Sequence, residues 1–334
     1  MTRCLITGIS GFVGSHLADY LLENTDWEIH GMLRWRSPLD NIQGLLGHVN
    51  DPLGRVKFHY ADLRDSEAVR KCVVDSAPDY VFHLAAQSYP KVSFDSPCDT
   101  LETNVQGTVR LLEALRERRP QALIHVCSSS EVYGRVPKER LPIREDCPFH
   151  PASPYAVSKV GADLMAQHYA LAYGMRIMVT RMFTHTGPRR GDVFAESSFA
   201  KQIAMAEAGQ IAPVVMHGNL ASLRTIADVR DAVRAYHLLL TVNPQPGEVY
   251  NIGGAHTCTV GDILAALLAL SDRRFAVFSD GARLRPLDAD LQVPDTSKFT
   301  AHTGWKPEIA FEQTMADLLE YWRERVKTGN YLTR

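Results

Sequence analysis

The sequence predicts a doubly wound α/β fold, and three observations predict it. Short apolar, β-branched runs alternate with amphipathic stretches through roughly the first 180 residues, a glycine-rich turn follows the first run, and the alternation weakens after about residue 184. Strands covered on both faces read as continuous apolar runs, and six segments fit: Cys4–Thr7, Glu28–Leu33, Val56–Tyr60, Tyr80–Leu84, Leu123–Cys127 and Arg176–Thr180. Between them Val13–Leu22, Ser66–Ser76, Glu102–Glu117 and Pro154–Tyr173 carry apolar residues near a helical spacing. Right-handed crossovers then give a Rossmann-type parallel sheet with helices on both faces. Residues 1–183, with a soft boundary, form this part, and 184–330 read as a smaller mixed α/β C-terminal lobe over its carboxyl edge. In that lobe Phe199–Ala208, Asp228–Leu240, Val260–Leu270 and Phe311–Arg325 read as helices, and Val249–Ile252 and Arg274–Phe278 as strands. One helix and one strand of this half can return to the first.

Composition excludes several classes. A formal charge of −2 gives no electrostatic case for nucleic acid or an anionic membrane surface. No apolar run approaches the ~20 residues that span a bilayer, and Met1 leads into CLIT with no basic segment or cleavage site, so a cytoplasmic location is expected. The six cysteines form no CxxC pair, and the thirteen histidines lack ligand spacing, so reduced thiols and no metal are expected.

After the first strand the chain reads GISGFVGSHL. Gly8 permits the tight turn, Gly11 lets backbone approach a pyrophosphate, and Gly14 lets the next helix pack on the strand, with its N-terminus facing the phosphates. Enzymes that use NAD usually place an acid at the end of the second strand, to hold the ribose hydroxyls. Here the segment is HGMLRWRSPLDNI, and Arg34 and Arg36 suit a 2′-phosphate, which points to NADP over a merely solvated basic loop. Asp62, in ADLRD past the third strand, can accept from an adenine amino group or cap the following helix. The small residues of HLAAQS let the nicotinamide half approach.

Tyr155 and Lys159 stand four apart in SPYAVSK, on one helical face. A phenol near its usual pKa of about 10 is a poor base, and a nearby ammonium favours the phenolate. Alone, such a pair is as consistent with a surface contact. VCSSSEVYG decides for chemistry, because it delivers Ser128, Ser129, Ser130 and Glu131 to the carboxyl edge, where ligands bind in such sheets. Ser129 can donate to a substrate oxygen while Tyr155 takes its proton, and Glu131 can move a proton between neighbouring carbons. Glu131 can otherwise cap a helix or pair with the second lobe.

Together the glycine triplet, HLAAQS, SSSEVYG and the Tyr155/Lys159 pair resemble the extended short-chain dehydrogenase/reductase superfamily over nearly the whole chain. HGMLRWRS, AAQSYPKVSFDSP, HTGPRRG, GNLASLRTIADVRD, RPLDADL and TGWKP narrow the resemblance to GDP-mannose 4,6-dehydratases and the related GDP-4-dehydro-6-deoxymannose reductases. The resemblance implies Ser129, Glu131, Tyr155 and Lys159 as catalytic residues. It implies NADP contacts at Thr7, Gly8, Gly11, Phe12, Val13, Gly14, Arg34, Arg36, Asp62, Leu63, Leu84, Ala85, Ala86, Gln87, Tyr155 and Lys159. A nucleotide-sugar substrate would meet Ser88, Ser130, Thr184, Arg190, Lys201, Arg224 and Arg285, although Arg224 and Arg285 also read as ordinary surface charges. It further implies a homo-oligomer, dimer or tetramer, in which the arginine-rich stretch after the second strand meets a neighbour, with Trp35 as an anchor or packed on its own loop. The chain departs from the family pattern at Thr184, usually Asn, and at Thr225-Ile226, usually Asp followed by an aromatic residue. Reductase, epimerase and binding-only readings use the same scaffold.

Overall fold

In the computed structural model, which describes residues 1–287 and 289–330, the main sheet is wholly parallel and seven-stranded. Asp288, within the RPLDADL stretch, lies outside the described residues. The strands are β1 (Arg3–Thr7), β2 (Glu28–Leu33), β3 (Val56–Tyr60), β4 (Tyr80–His83), β5 (Leu123–Cys127), β6 (Ile177–Met182) and β7 (Val249–Ile252), in the order β7-β6-β5-β4-β1-β2-β3. Strand order reverses at β1, between β4 and β2, so a crevice opens at the carboxyl ends there.

Period-two alternation sorts each strand onto two helical layers. In β1, Cys4 and Ile6 join Leu17, Leu21, Phe82 and Tyr236 on one face. Leu5 joins Val69, Leu111, Ile124 and Tyr169 on the other. The first layer holds α1 (Phe12–Asn24) and, from the second half of the chain, Val229–Thr241. The second holds α2 (Ser66–Ser76), α3 (Gly107–Arg118) and α4 (Pro154–Tyr173). Local chemistry sets the ends. Asp65 caps α2, and Ser153 caps α4 with Pro154 in its first turn and Gly174 left-handed at its end.

The expected helix Glu102–Glu117 divides into a π turn over Glu102–Gln106 and α3, and within the π turn Asn104 faces inward and bonds three groups. The strand expected at Arg274–Phe278 runs Ala276–Ser279, paired with Val214–His217. Short helices at Pro90–Asp95 and Pro97–Leu101 were not anticipated by the periodicity. Three longer helices of the second half, α5 (Ala195–Glu207), α6 (Val260–Ala269) and α7 (Phe311–Lys327), pack through Phe199, Ile203, Leu264, Leu318 and Trp322 against the strand Leu223–Asp228. Among the described residues no helix is long and apolar enough to cross a membrane.

One buried ion pair fixes α4 to β6. Arg181 donates through Nε and Nη2 to Asp163 at 2.9 and 3.2 Å, and through Nη1 to the Glu145 carbonyl and the Tyr133 hydroxyl. Both side chains are almost wholly buried, so removing one partner strands the other charge. Asp163→Ala should therefore lower the unfolding free energy by about 3 kcal/mol or more, read as a shifted urea midpoint; an unchanged midpoint contradicts this role.

Candidate active site

Thr7 ends β1 and opens the crevice. Its Oγ1 accepts from the Leu84 and Ala85 amides, each at 3.1 Å, and donates to His83 Nδ1 at 2.9 Å. The proton order follows from the far end: Thr108 Oγ1 donates to the Asn104 carbonyl at 2.6 Å, so it must accept from His83 Nε2 at 2.9 Å. Burial holds that imidazole neutral, its pKa pushed down to about 3. Gly8 then takes φ +75°, and a Cβ there would stand 3.0 Å from Ala85 Cα, while one on Gly14 would stand 2.3 Å from the Gly8 carbonyl. Neither position tolerates a side chain. Gly11 begins α1 with no side-chain cap and no acid in the first turn, which leaves amides free for an anion. Phe12 stacks on His185 and lies under the Arg190 guanidinium.

At the end of β2, Arg34, Trp35 and Arg36 are exposed, and among the described residues neither guanidinium is in an ion pair. Trp35 is 77% exposed and meets Tyr60 edge-on at 5.1 Å rather than folding onto its own loop. The helix cap offered as one role for Asp62 belongs to Asp65. Asp62 instead chelates the Arg64 side chain, which keeps its carboxyl below the usual range. Gln87 turns its amide onto Tyr89 and Thr100, and its backbone exchanges hydrogen bonds with the Asn104 side chain. Ser88 is exposed, and Ala86 and Leu84 are half-buried.

Ser129, Glu131 and Tyr155 come together past β5 and at the start of α4. Ser129 accepts from the Glu131 amide at 3.2 Å and opens the 3-10 turn Ser130–Tyr133. It also hydrogen-bonds the Tyr155 phenol. Burial pushes that phenol well above its ordinary range and Glu131 adds to the rise, whereas Ser129 and Arg190 pull it down. Lys159 donates to the Cys127 carbonyl at 2.8 Å, and burial lowers its ammonium. The cation acting on the phenol here is Arg190, held between Phe12 and Phe194 and 3.3 Å from Glu196. Glu131 faces Arg285 Nη1 at 3.7 Å.

The other substrate-lobe residues have local partners. Lys201 pairs with Asp192 at 2.8 Å and lies over Trp322; Arg224 donates to the Leu223 and Ala289 carbonyls; and the Thr184 carbonyl accepts from Ala227. Sequence reasoning missed Asn104 and Ser93. Asn104 Nδ2 donates to Ser158 Oγ at 2.8 Å, which donates to the Tyr155 carbonyl at 2.7 Å, and Ser93 Oγ accepts from the Tyr155 amide. Asn104 shares its helical face with Thr108 as well as with apolar residues, so the pattern does not mark it.

A family model described as GDP-mannose 4,6 dehydratase matches residues 5–318. The chain belongs to that family. It is 33% identical to the GDP-6-deoxy-D-mannose reductase of Pseudomonas aeruginosa, over 97% of this chain and 98% of that protein. It is 32% identical to the GDP-mannose 4,6-dehydratase of Yersinia enterocolitica, over 96% and 93%. Among solved structures, that of RMD from Pseudomonas aeruginosa complexed with NADPH superposes with a TM-score of 0.82 at 32% identity, over 97% of this chain and all of that one. Family membership and the Rossmann-type sheet thus agree with the expectation from sequence.

Burial of neutral imidazoles around this site has a pH consequence. His83, His125 and His185 are each lowered to about 3 and His16 to about 4, with burial the main cause. The unfolded chain binds these protons near pH 6.5, so the stability they contribute is complete above 6.5 and is lost as pH falls below it. Each histidine costs about 1.4 kcal/mol per pH unit in that window. The thermal midpoint should fall steadily from pH 6.5 to 5, before most carboxylates titrate; a flat profile there contradicts neutral burial.

Proposed function

We infer that the chain is a nucleotide-sugar 4,6-dehydratase acting on GDP-mannose, giving GDP-4-dehydro-6-deoxymannose, with NADP as a recycled cofactor. The observation that carries this reading is Glu131 on the turn that Ser129 opens, close enough to the Tyr155 phenol to raise it, because elimination needs a second acid–base group near the one that serves C4. The NADP reading is supported by the loop Gly8–Gly14, which a Cβ would fill, by the uncapped α1 and by the exposed Arg34 and Arg36. Thr7, Phe12, Val13, Leu63, Leu84, Ala85, Ala86, Gln87 and Asp62 are the remaining proposed contacts. Bound NADP supplies reversible hydride exchange with the sugar carbons.

The protein's own groups do the rest. Tyr155, hydrogen-bonded to Ser129, takes the C4 hydroxyl proton, and Lys159 holds a positive charge at the foot of the same helix face. Glu131 removes the C5 proton, acidified by the C4 ketone, and protonates the departing C6 hydroxyl; as C6 regains hydride, the proton that Tyr155 took is returned at C5, which leaves both side chains as they began. Ser88, Ser130, Thr184, Arg190, Lys201, Arg224 and Arg285 are proposed to hold the nucleotide sugar. This reading divides the chain into an NADP-binding part, residues 1–183, and a nucleotide-sugar lobe, 184–330, from which Val229–Thr241 and β7 return to the first. A cytoplasmic homo-oligomer is also proposed. Exposed Trp35 and Tyr60, and Val157, Leu164 and Leu171 along α4, support self-association; unpaired thiols suit a reducing compartment.

A second reading, reduction of a 4-keto sugar, is favoured by the likeness to the Pseudomonas reductase. Product mass and nicotinamide absorbance separate the two. With GDP-mannose the dehydratase loses one water with no net change in absorbance, whereas a reductase consumes NADPH and leaves GDP-mannose untouched. Glu131→Gln should keep NADP binding and lose elimination by roughly 10²–10⁴-fold; elimination at the wild-type rate rejects the mechanism.

A further inference from the structure

The pairing of Glu131 with Arg285 joins two groups that the proposed function assigns to different tasks, proton transfer and diphosphate recognition. Their contact is partly enclosed, with side chains 18% and 27% exposed at 3.7 Å. The segment that carries Arg285 is held from both layers. Asp280 accepts from the Ala282 amide and the Arg283 guanidinium, forming the 3-10 turn Gly281–Arg283. From the Rossmann part, Lys91 donates to the Ala282 carbonyl at 2.5 Å; in the lobe, Arg283 donates to Ser198 of α5 at 3.1 Å. Gly218 lies so close that a Cβ there would stand 2.8 Å from the Arg283 carbonyl. Arg285 follows this anchored turn by two residues. Beyond it Leu287 helps line an open cleft of about 500 Å³ with Arg135, Phe149 and His150.

We propose that Glu131 and the substrate's diphosphate compete for Arg285, so that seating the nucleotide sugar draws the guanidinium away and hands Glu131 over to proton transfer. The physical basis is simple. A diphosphate offers the guanidinium more charge and more acceptor oxygens than one carboxylate held at 3.7 Å. The carboxylate, released from the guanidinium, is then available for proton transfer at the substrate carbons. Arg285 is thus a positioning residue, which acts on the chemistry through Glu131. The proposal rests on the assignment of Arg285 to the diphosphate.

Calorimetric titration of GDP, with UDP in parallel, into the NADP-saturated protein tests this as a double-mutant cycle. Glu131→Gln should bind the nucleotide roughly two- to fivefold more tightly than wild type, the scale of a part-exposed ion pair. Arg285→Ala should bind roughly tenfold more weakly, and adding Glu131→Gln in that background should give no further change. Arg285→Lys, which keeps one charge, should retain part of the coupling and guards against a folding defect. Unchanged affinity in Glu131→Gln overturns the competition, and so does a gain that persists in the Arg285→Ala background, which would be plain charge repulsion. If the cycle appears with UDP and GDP does not bind, the handover stands and the GDP-mannose reading falls.

Discussion

A single buried chain of hydrogen bonds sets the geometry on which the site depends. It runs from the Leu84 and Ala85 amides through Thr7, His83 and Thr108 to the carbonyl of Asn104, and from the Asn104 amide through Ser158 to the carbonyl of Tyr155. Every proton in it has one assignable place, so no member can turn without stranding a donor or acceptor away from water. The chain ties the end of β1, where the glycine loop begins, to the first turn of α4. The π turn at Glu102–Gln106 is what brings Asn104 inward, and it is bonded on both sides as a result: to Gln87 after β4 and to Ser158 on α4.

Electrostatics divides along the same lines. Burial raises the Tyr155 phenol, and its relief comes from a hydroxyl and from Arg190, a cation reached only through the fold of Gly187–Phe194 over Phe12. Lys159 is committed to the Cys127 carbonyl. The phenol, the carboxylate and two guanidinium groups are therefore linked, Glu131 and Arg190 acting on the phenol and Arg285 pairing with Glu131. A substrate that adds a diphosphate to this set redistributes the pairings before any bond changes.

Much of the scaffold is legible in the sequence because its signals are local. β1, β4 and β5 are dominated by apolar residues, and Ser66–Ser76 and Pro154–Tyr173 carry their own caps in Asp65, Ser153, Pro154 and Gly174. Ser129, Glu131, Tyr155 and Lys159 are visible for the same reason, since each sits at a fixed offset from a strand end or on one helical face. The failures have physical causes too. Asp62 and Asp65 offer the same capping chemistry three residues apart, and only the turn geometry chooses Asp65. Asn104 is polar within a helical run, and nothing local says that it points inward. Arg190 and Arg285 are named only through the family resemblance, because long-range packing brings them to the site and periodicity does not encode it.

The most direct test of the central claim is steady-state turnover of Asn104→Ala with GDP-mannose, alongside its NADP affinity. Displacing the Tyr155 phenol by a fraction of an ångström should cut kcat by roughly 10- to 100-fold, with the cofactor still bound and KM little changed. Wild-type kcat in a folded, NADP-bound variant would contradict the claim that this buried chain positions Tyr155.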